Sequence, residues 1–225
     1  MTGTAPVICI DGPSGAGKGT LSQHLATELG WHLLDSGALY RVVGFAGRLA
    51  SVSLEDSDAV AGIARSLDVD FRPTSDGVLV WLAGEDVTAH LRTEEGGRDA
   101  STVAALPAVR EALLLRQQEL ARPPGLIADG RDMGTVVFPQ APLKIFLTAS
   151  AKARAARRYH QLQGMGESVS LARLLTDIEQ RDARDQSRIV SPLVPAEDAI
   201  VIDSTALSAD EVLQAARDLA AARDL

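Results

Sequence analysis

Short apolar runs without alternation recur along the chain, and most of them stop at an aspartate. Residues 7–11 (Val-Ile-Cys-Ile-Asp), 126–129 (Leu-Ile-Ala-Asp), 143–147 (Leu-Lys-Ile-Phe-Leu) and 199–203 (Ala-Ile-Val-Ile-Asp) are rich in β-branched residues. A shorter run, 31–34, ends at Asp35. This texture predicts strands buried on both faces, the habit of parallel sheets covered by helices. Between residues 7–11 and 31–34 lie a glycine-rich turn and a helical pattern from Lys18 to about Leu29, closed by Gly30. Strand, turn, helix and strand make a βαβ unit, and the chain is expected to be α/β.

Helical spacing continues over 36–50, and Ser53 with Asp56 three positions on predicts a further helix opened by a capping-box-like pair. The pattern then changes. Residues 69–71 and 78–82 are β-rich and flank Asp76-Gly77, a strong hairpin signal. An antiparallel insert is therefore expected over about 66–92. Helical patterns resume near Thr93, over 107–121, over 150–163 and over 170–187. Ser208-Ala209-Asp210-Glu211 predicts a capping box that opens the last helix.

At 225 residues with 46% hydrophobic content, one sizeable α/β domain is expected rather than two. The net charge of -8 argues against a broad nucleic-acid or anionic-membrane surface, since both need an excess of Lys and Arg. It leaves room for a local basic pocket around a small phosphate ligand. The single cysteine, Cys9, lies inside the first apolar run and reads as a small buried hydrophobe. Neither a signal peptide nor a run of 18 apolar residues is found, so a cytoplasmic protein is expected. The histidines, His24, His32, His90 and His160, show no metal-ligand spacing.

The turn Gly12-Pro13-Ser14-Gly15-Ala16-Gly17-Lys18-Gly19-Thr20 has P-loop spacing, with a buried strand before it and a helix after it. Glycines let the backbone curl so that amide N–H groups point at one anion, and the helix N-terminus adds positive potential. Lys18 is expected to reach the β and γ phosphates. The residue after the lysine is commonly Ser or Thr, a magnesium ligand, but here it is Gly19, with Thr20 one later. No direct protein ligand to Mg2+ is therefore expected, and the ion would be held by phosphates and water. Asp11 and Asp129 end their strands beside this loop, placed either to orient metal-bound water or to cap the strand end.

Asp35-Ser36-Gly37-Ala38-Leu39-Tyr40-Arg41 and Gly130-Arg131-Asp132-Met133-Gly134 follow two strand ends, where α/β sheets collect ligands. Together with residues 11–20 and Arg181-Asp-Ala-Arg-Asp-Gln-Ser-Arg188, these segments resemble the bacterial cytidylate kinases over about residues 5–220. The resemblance implies ATP-dependent phosphorylation of CMP and dCMP. It implies a P-loop kinase fold: a five-stranded parallel sheet, a small antiparallel insert in the monophosphate-binding region, and a helical lid. The chain would then divide into a core (1–35, 107–150 and 190–225), a monophosphate-binding region (36–106) and a lid (151–189). By the same resemblance, Ser36, Arg41 and Arg131 contact the acceptor phosphate and nucleotide. Ser101, Arg110, Asp132 and Arg188 read cytosine, and Arg181 and Asp185 meet the sugar and phosphate region. The implied partners are small nucleotides, and the implied state is a monomer.

The chemistry suits the base assignment. A carboxylate accepts from the cytosine N4 amino group, and guanidiniums donate to N3 and O2. Uracil reverses the polarity at two of these positions and leaves buried groups unpaired. Two arginine clusters complete the expected site. Arg154, Arg157 and Arg158 are spaced i, i+3, i+4, and Arg181, Arg184, Asp185 and Arg188 share a face in the same way. Like charges so close favour an anion between them, and Lys18, Arg131, Arg158 and Arg181 are expected to act on the transferred phosphoryl group. Gly164 and Gly166 are placed to give a lid flexibility. A P-loop kinase for another small acceptor and a non-enzymatic nucleotide switch are the competing readings.

Overall fold

The computed structural model describes residues 5–225 apart from 75, 76, 165, 167 and 189. In chain order the elements are β1 (Val7–Asp11), α1 (Lys18–Leu29), β2 (His32–Asp35), α2 (Ser36–Leu49), α3 (Ser57–Arg65), β3 (Val69–Thr74), β4 (Gly77–Leu82), β5 (Glu85–Asp86), α4 (Thr88–Leu91), α5 (Glu94–Val103), α6 (Pro107–Gln118), β6 (Leu126–Gly130), a π-helical turn (Met133–Val137), β7 (Leu143–Thr148), α7 (Ala151–Gly164), α8 (Leu171–Gln186), β8 (Ile200–Asp203) and α9 (Ala209–Ala221). These residues group into two compact units, one formed by the chain up to Leu34 with Leu120–Leu225, the other by Asp35–Glu119.

The first unit is built on a five-stranded sheet in the order β2-β6-β1-β7-β8. β1 pairs in parallel with β6 and with β7, and β7 with β8. The continuous apolar runs follow from this position. Ile8, Cys9 and Ile10 in the central strand have no exposed surface, nor do Leu126, Ile127 and Ala128 beside it. β8 is an edge, and there the pattern does alternate, with Val201 exposed. Leu21 and Leu25 of α1 and Val212, Leu213 and Ala216 of α9 pack on Ile8, Ile145 and Leu147. Burial pushes the Cys9 thiol well above its ordinary range, so the residue behaves as a core hydrophobe. α7 and α8 pair around Ala155, Leu162 and Leu174. The capping box expected at residue 208 forms, with Ser208 accepting from the Glu211 amide and Glu211 from the Ser208 amide.

The second unit packs α2, α3, α5 and α6 around Leu39, Val42, Val43, Val60, Val103 and Leu113. The expected insert is a three-stranded antiparallel sheet, β3-β4-β5. Its turn signal includes Asp76, which lies outside the described residues, as does Met165 of the glycine-flanked turn after α7. The Arg72 guanidinium lies 4.1 Å from the ring centroid of Trp81, a diagonal contact on the strand pair, since Arg72 itself faces Leu79 and Trp81 faces Asp70.

Three features differ from what spacing or the resemblance suggested. α3 opens at Ser57 with Asp56 as its cap, because the Asp56 amide is turned back onto the Ser53 carbonyl. α6 belongs with the second unit, since Val109 and Leu113 close the core that Val60 and Ala64 begin. The chain leaving β6 enters a π-helical turn that no hydrophobic period announced.

Candidate active site

The P-loop is shaped by backbone demands that only glycine meets. Gly12 has φ 147, and a β-carbon there would lie 1.9 Å from the carbonyl oxygen of Leu147 in β7. Gly17, the N-cap of α1, sits in the left-handed region at φ 100. Lys18 is buried, donates to the Pro13 carbonyl oxygen at 3.2 Å and lies 3.8 Å from Asp129. A β-carbon at Gly19 would be 3.7 Å from Asp129 Oδ2, so the position that often carries a hydroxyl faces that carboxylate.

Asp11 takes the strand-end role rather than a place on the open side of the loop. Its two oxygens accept from the amides of Met133 and Gly134, each at 2.8 Å. Burial pushes its carboxyl up to about 6, and the two amide bonds only partly offset this.

Arg131, Asp132, Arg181, Asp185 and Arg188 all belong to the first unit. Asp185 is fully buried, accepts from Arg131 through one oxygen and from Arg188 through the other. Burial works to raise its pKa, but Arg131, Arg188 and Arg181 outweigh that and hold it below the ordinary carboxylate value. The expected sugar contact is thus the hub that gathers three of the expected cations. Asp132 is buried at the head of the π-helical turn.

The 154–158 cluster divides. Arg154 is buried, forms a two-pronged pair with Asp182 of α8, and donates to the carbonyls of Ala149 and Ser14. Arg157 donates to the Ser204 carbonyl oxygen at 2.5 Å and to its hydroxyl at 3.2 Å. These two brace the back of the P-loop, which explains their spacing without an anion. Arg158 is half-buried and donates to Gln161.

In the second unit, Asp35 caps α2 by accepting from the Ala38 amide, which leaves Ser36 buried at the helix start. Arg41 donates to the Leu91 carbonyl oxygen at 3.0 Å. Ser101 is on α5, packed closely enough on α2 that a β-carbon at Gly44 would meet Asp99 Cβ at 2.8 Å. Its hydroxyl is buried with no hydrogen-bond partner among the described residues. Such an unspent polar group in a core needs a ligand or a water. Arg110 is buried, donates to the Ala104 carbonyl oxygen, and lies 5.5 Å from the Tyr40 ring centroid.

Spacing gave no warning of a cavity of about 350 Å³ in the first unit, beside the P-loop. Thr20, His24, Arg157, Ser204, Leu207 and Val212 line it. His24 was unremarkable as a lone histidine, and Ser204 and Leu207 sit in a loop without a motif. That loop is held to the P-loop by the Ser204 hydroxyl, which donates to the carbonyls of Thr148 and Ala16, bonds between residues 56 and 188 positions apart.

The family profile described as cytidylate kinase matches residues 8–222. A cytidylate kinase of Aeromonas hydrophila is 61% identical over 95% of this chain and 93% of its own. One of Pseudomonas entomophila is 58% identical over all of both chains. Among solved structures, an uncharacterized protein from Eubacterium ventriosum shares the fold, with a TM-score of 0.51 at 13% identity, covering 97% of this chain and 99% of that one.

Proposed function

The chain belongs to the cytidylate kinase family, whose members use ATP to phosphorylate CMP and dCMP, and from that premise we propose how its residues divide the work. The observation that carries the reading is the pairing of Arg131 and Arg188 on the two oxygens of one buried carboxylate, Asp185, with the charge of Arg181 also acting on it. Guanidiniums fixed in this way are set in place before the reaction and need little reorganisation as charge spreads over the transferred oxygens.

The P-loop from Gly12 to Thr20 holds the ATP phosphates through its backbone N–H groups, which every residue but Pro13 supplies, with Lys18 on the β and γ groups. The cavity beside it takes the adenine, with Arg157 against the base. The acceptor's α-phosphate and sugar meet Ser36, Arg41, Arg131, Arg181 and Asp185. Asp132 accepts from the cytosine N4 amino group, while Arg110, Arg188 and Ser101 serve N3 and O2. An acceptor phosphate oxygen attacks the γ-phosphorus in line. The bond to the β–γ bridging oxygen breaks, and ADP leaves with that electron pair. The attacking phosphate is already nucleophilic, so no protein nucleophile or general base is required. Arg158 joins the clamp on the γ-phosphoryl group.

Magnesium would enter with the nucleotide, held largely by phosphates and water, because Gly19 offers no hydroxyl where one often binds the ion. Asp129 would hold one of its waters, and the ion would neutralise charge on the phosphates. No described helix is long and apolar enough to cross a membrane. The proposed setting is a cytoplasmic monomer acting on free nucleotides.

ADP release measured over a panel of monophosphates tests the reading. Turnover is expected with CMP and dCMP, weakly with UMP, and not with AMP. Equal kcat/KM for CMP and UMP would overturn the base assignment. Filling the cavity with Leu207→Trp should raise KM for ATP and leave KM for CMP unchanged.

A further inference from the structure

Asp132 stands at the N-cap of the turn Met133–Val137, where an aspartate ordinarily folds back to accept from the first amides of its own turn. It makes no such cap bond. The amides of Met133 and Gly134 are bonded instead by Asp11, which comes from the end of a different strand. The register explains how: Asp11 is the parallel partner of Gly130, so its side chain reaches the chain just as it leaves β6. The turn fits closely around this bond. A β-carbon at Gly134 would lie 3.4 Å from Asp11 Oδ2 and 3.0 Å from the Lys144 side chain.

We propose that Asp11 is a positioning residue for base recognition: by capping the 133–137 turn in place of Asp132, it directs the Asp132 carboxylate away from its own backbone and toward the cytosine amino group. The proposal rests on the assignment of Asp132 as a base reader made above. Two backbone amides at a strand end, rather than a cation, are what hold Asp11. Lys18 and Asp132 are the charged groups that act on it across the site. Replacing Asp11 by asparagine leaves one acceptor for two amides. The turn then has one donor without a partner, and Asp132 is the nearest carboxylate in sequence able to take it.

The test uses Asp11→Asn, Asp132→Ala and the double variant in the full chain. The ratio of kcat/KM for CMP to that for UMP is measured in each, since a ratio does not depend on the fraction of enzyme folded. Asp11→Asn is expected to lower the ratio by about tenfold, with KM for ATP changed by less than about twofold. In the Asp132→Ala background the same change is expected to leave the ratio where Asp132→Ala alone put it. A ratio unmoved by Asp11→Asn while Asp132→Ala collapses it overturns the proposal. An equal loss in both backgrounds does so too. A ratio unmoved by Asp132→Ala overturns the base assignment itself, and the proposal with it, and is recognisable as that separate failure. If the asparagine variant does not fold, Asp11→Glu keeps both acceptors but pushes the turn outward by one methylene, and an unchanged ratio in that variant overturns the proposal in the same way.

Discussion

Asp11 at the end of β1 and Asp185 in α8 are both buried, and their surroundings drive them in opposite directions. Around Asp11 the partners are backbone amides, and burial prevails: its carboxyl is pushed up to about 6. Around Asp185 burial is opposed by Arg131, Arg188 and Arg181, and the charge of those three prevails. The strand-end region is therefore organised by backbone geometry, and the α7–α8 region by paired side-chain charges. Burial makes a charge costly in either place, and the charge of the partners decides whether it persists. A phosphate loop of fixed amides suits the first kind of construction. A clamp of guanidiniums, which must be gathered against their mutual repulsion, needs the second.

The difference is broken most severely at Gly12. Gly12→Ala drives a β-carbon into the Leu147 carbonyl oxygen, and a loss of about 5 kcal/mol or more is expected, enough to unfold the chain in a urea titration. Asp185→Ala strikes the other region. It leaves half-buried guanidiniums uncompensated, and a loss of about 2–4 kcal/mol is expected, with KM for CMP rising more than KM for ATP.

Titration sharpens the contrast. Asp11 has a folded pKa above its ordinary 3.8, so its contribution to stability is full below that value and is lost as pH rises through about 6. The stability advantage of the native chain over Asp11→Asn should thus shrink by about 3 kcal/mol between pH 3.5 and 7. Asp185 has a lowered folded pKa and the opposite sign. The advantage over Asp185→Asn should hold above the ordinary carboxylate range and fall as pH drops below it. Unfolding free energies at a series of pH values read both. Parallel curves for the two variants would show that the two carboxylates do not differ in this way.

Smaller effects are expected where side chains brace the loop. Arg154→Lys gives up the two-pronged bond to Asp182 and the bond to the Ser14 carbonyl oxygen, at a cost of about 1.5–3 kcal/mol, with a severalfold rise in KM for ATP. Least of all should be the double change Gly164→Ala, Gly166→Ala. Alanine in the last turn of α7 gains about what alanine at φ 80 loses, each near 1 kcal/mol, so stability should barely move. Altered kcat and altered ATP hydrolysis without acceptor would mark a hinge, and unchanged kinetics would exclude one.

Much of this was legible in advance. Residues 7–11 and 126–129 announced the central strands because a strand covered on both faces has no polar side to show. Residues 12–20 announced the phosphate loop because its glycines are dictated by local backbone angles. The β3–β4 hairpin and the Ser208 cap were equally local. Ser53 misled, since its spacing to Asp56 is right for a cap but the chain turns before the helix begins. Arg154 and Arg157 misled in a different way. Their helical spacing is real, yet Asp182 and Ser204, the partners that absorb them, are 28 and 47 residues away.

The sequence by itself determined the α/β order, the phosphate loop and the family, because period, glycine placement and motif are properties of neighbouring residues. Only the tertiary structure decided that Asp11 rather than Asp132 caps the turn after β6, that Asp185 collects Arg131 and Arg188, and that a cavity opens between α1 and the loop before α9. Those depend on which strand ends and helices become neighbours. A long side chain has many partners within its reach in the extended chain, and packing decides which of them it keeps.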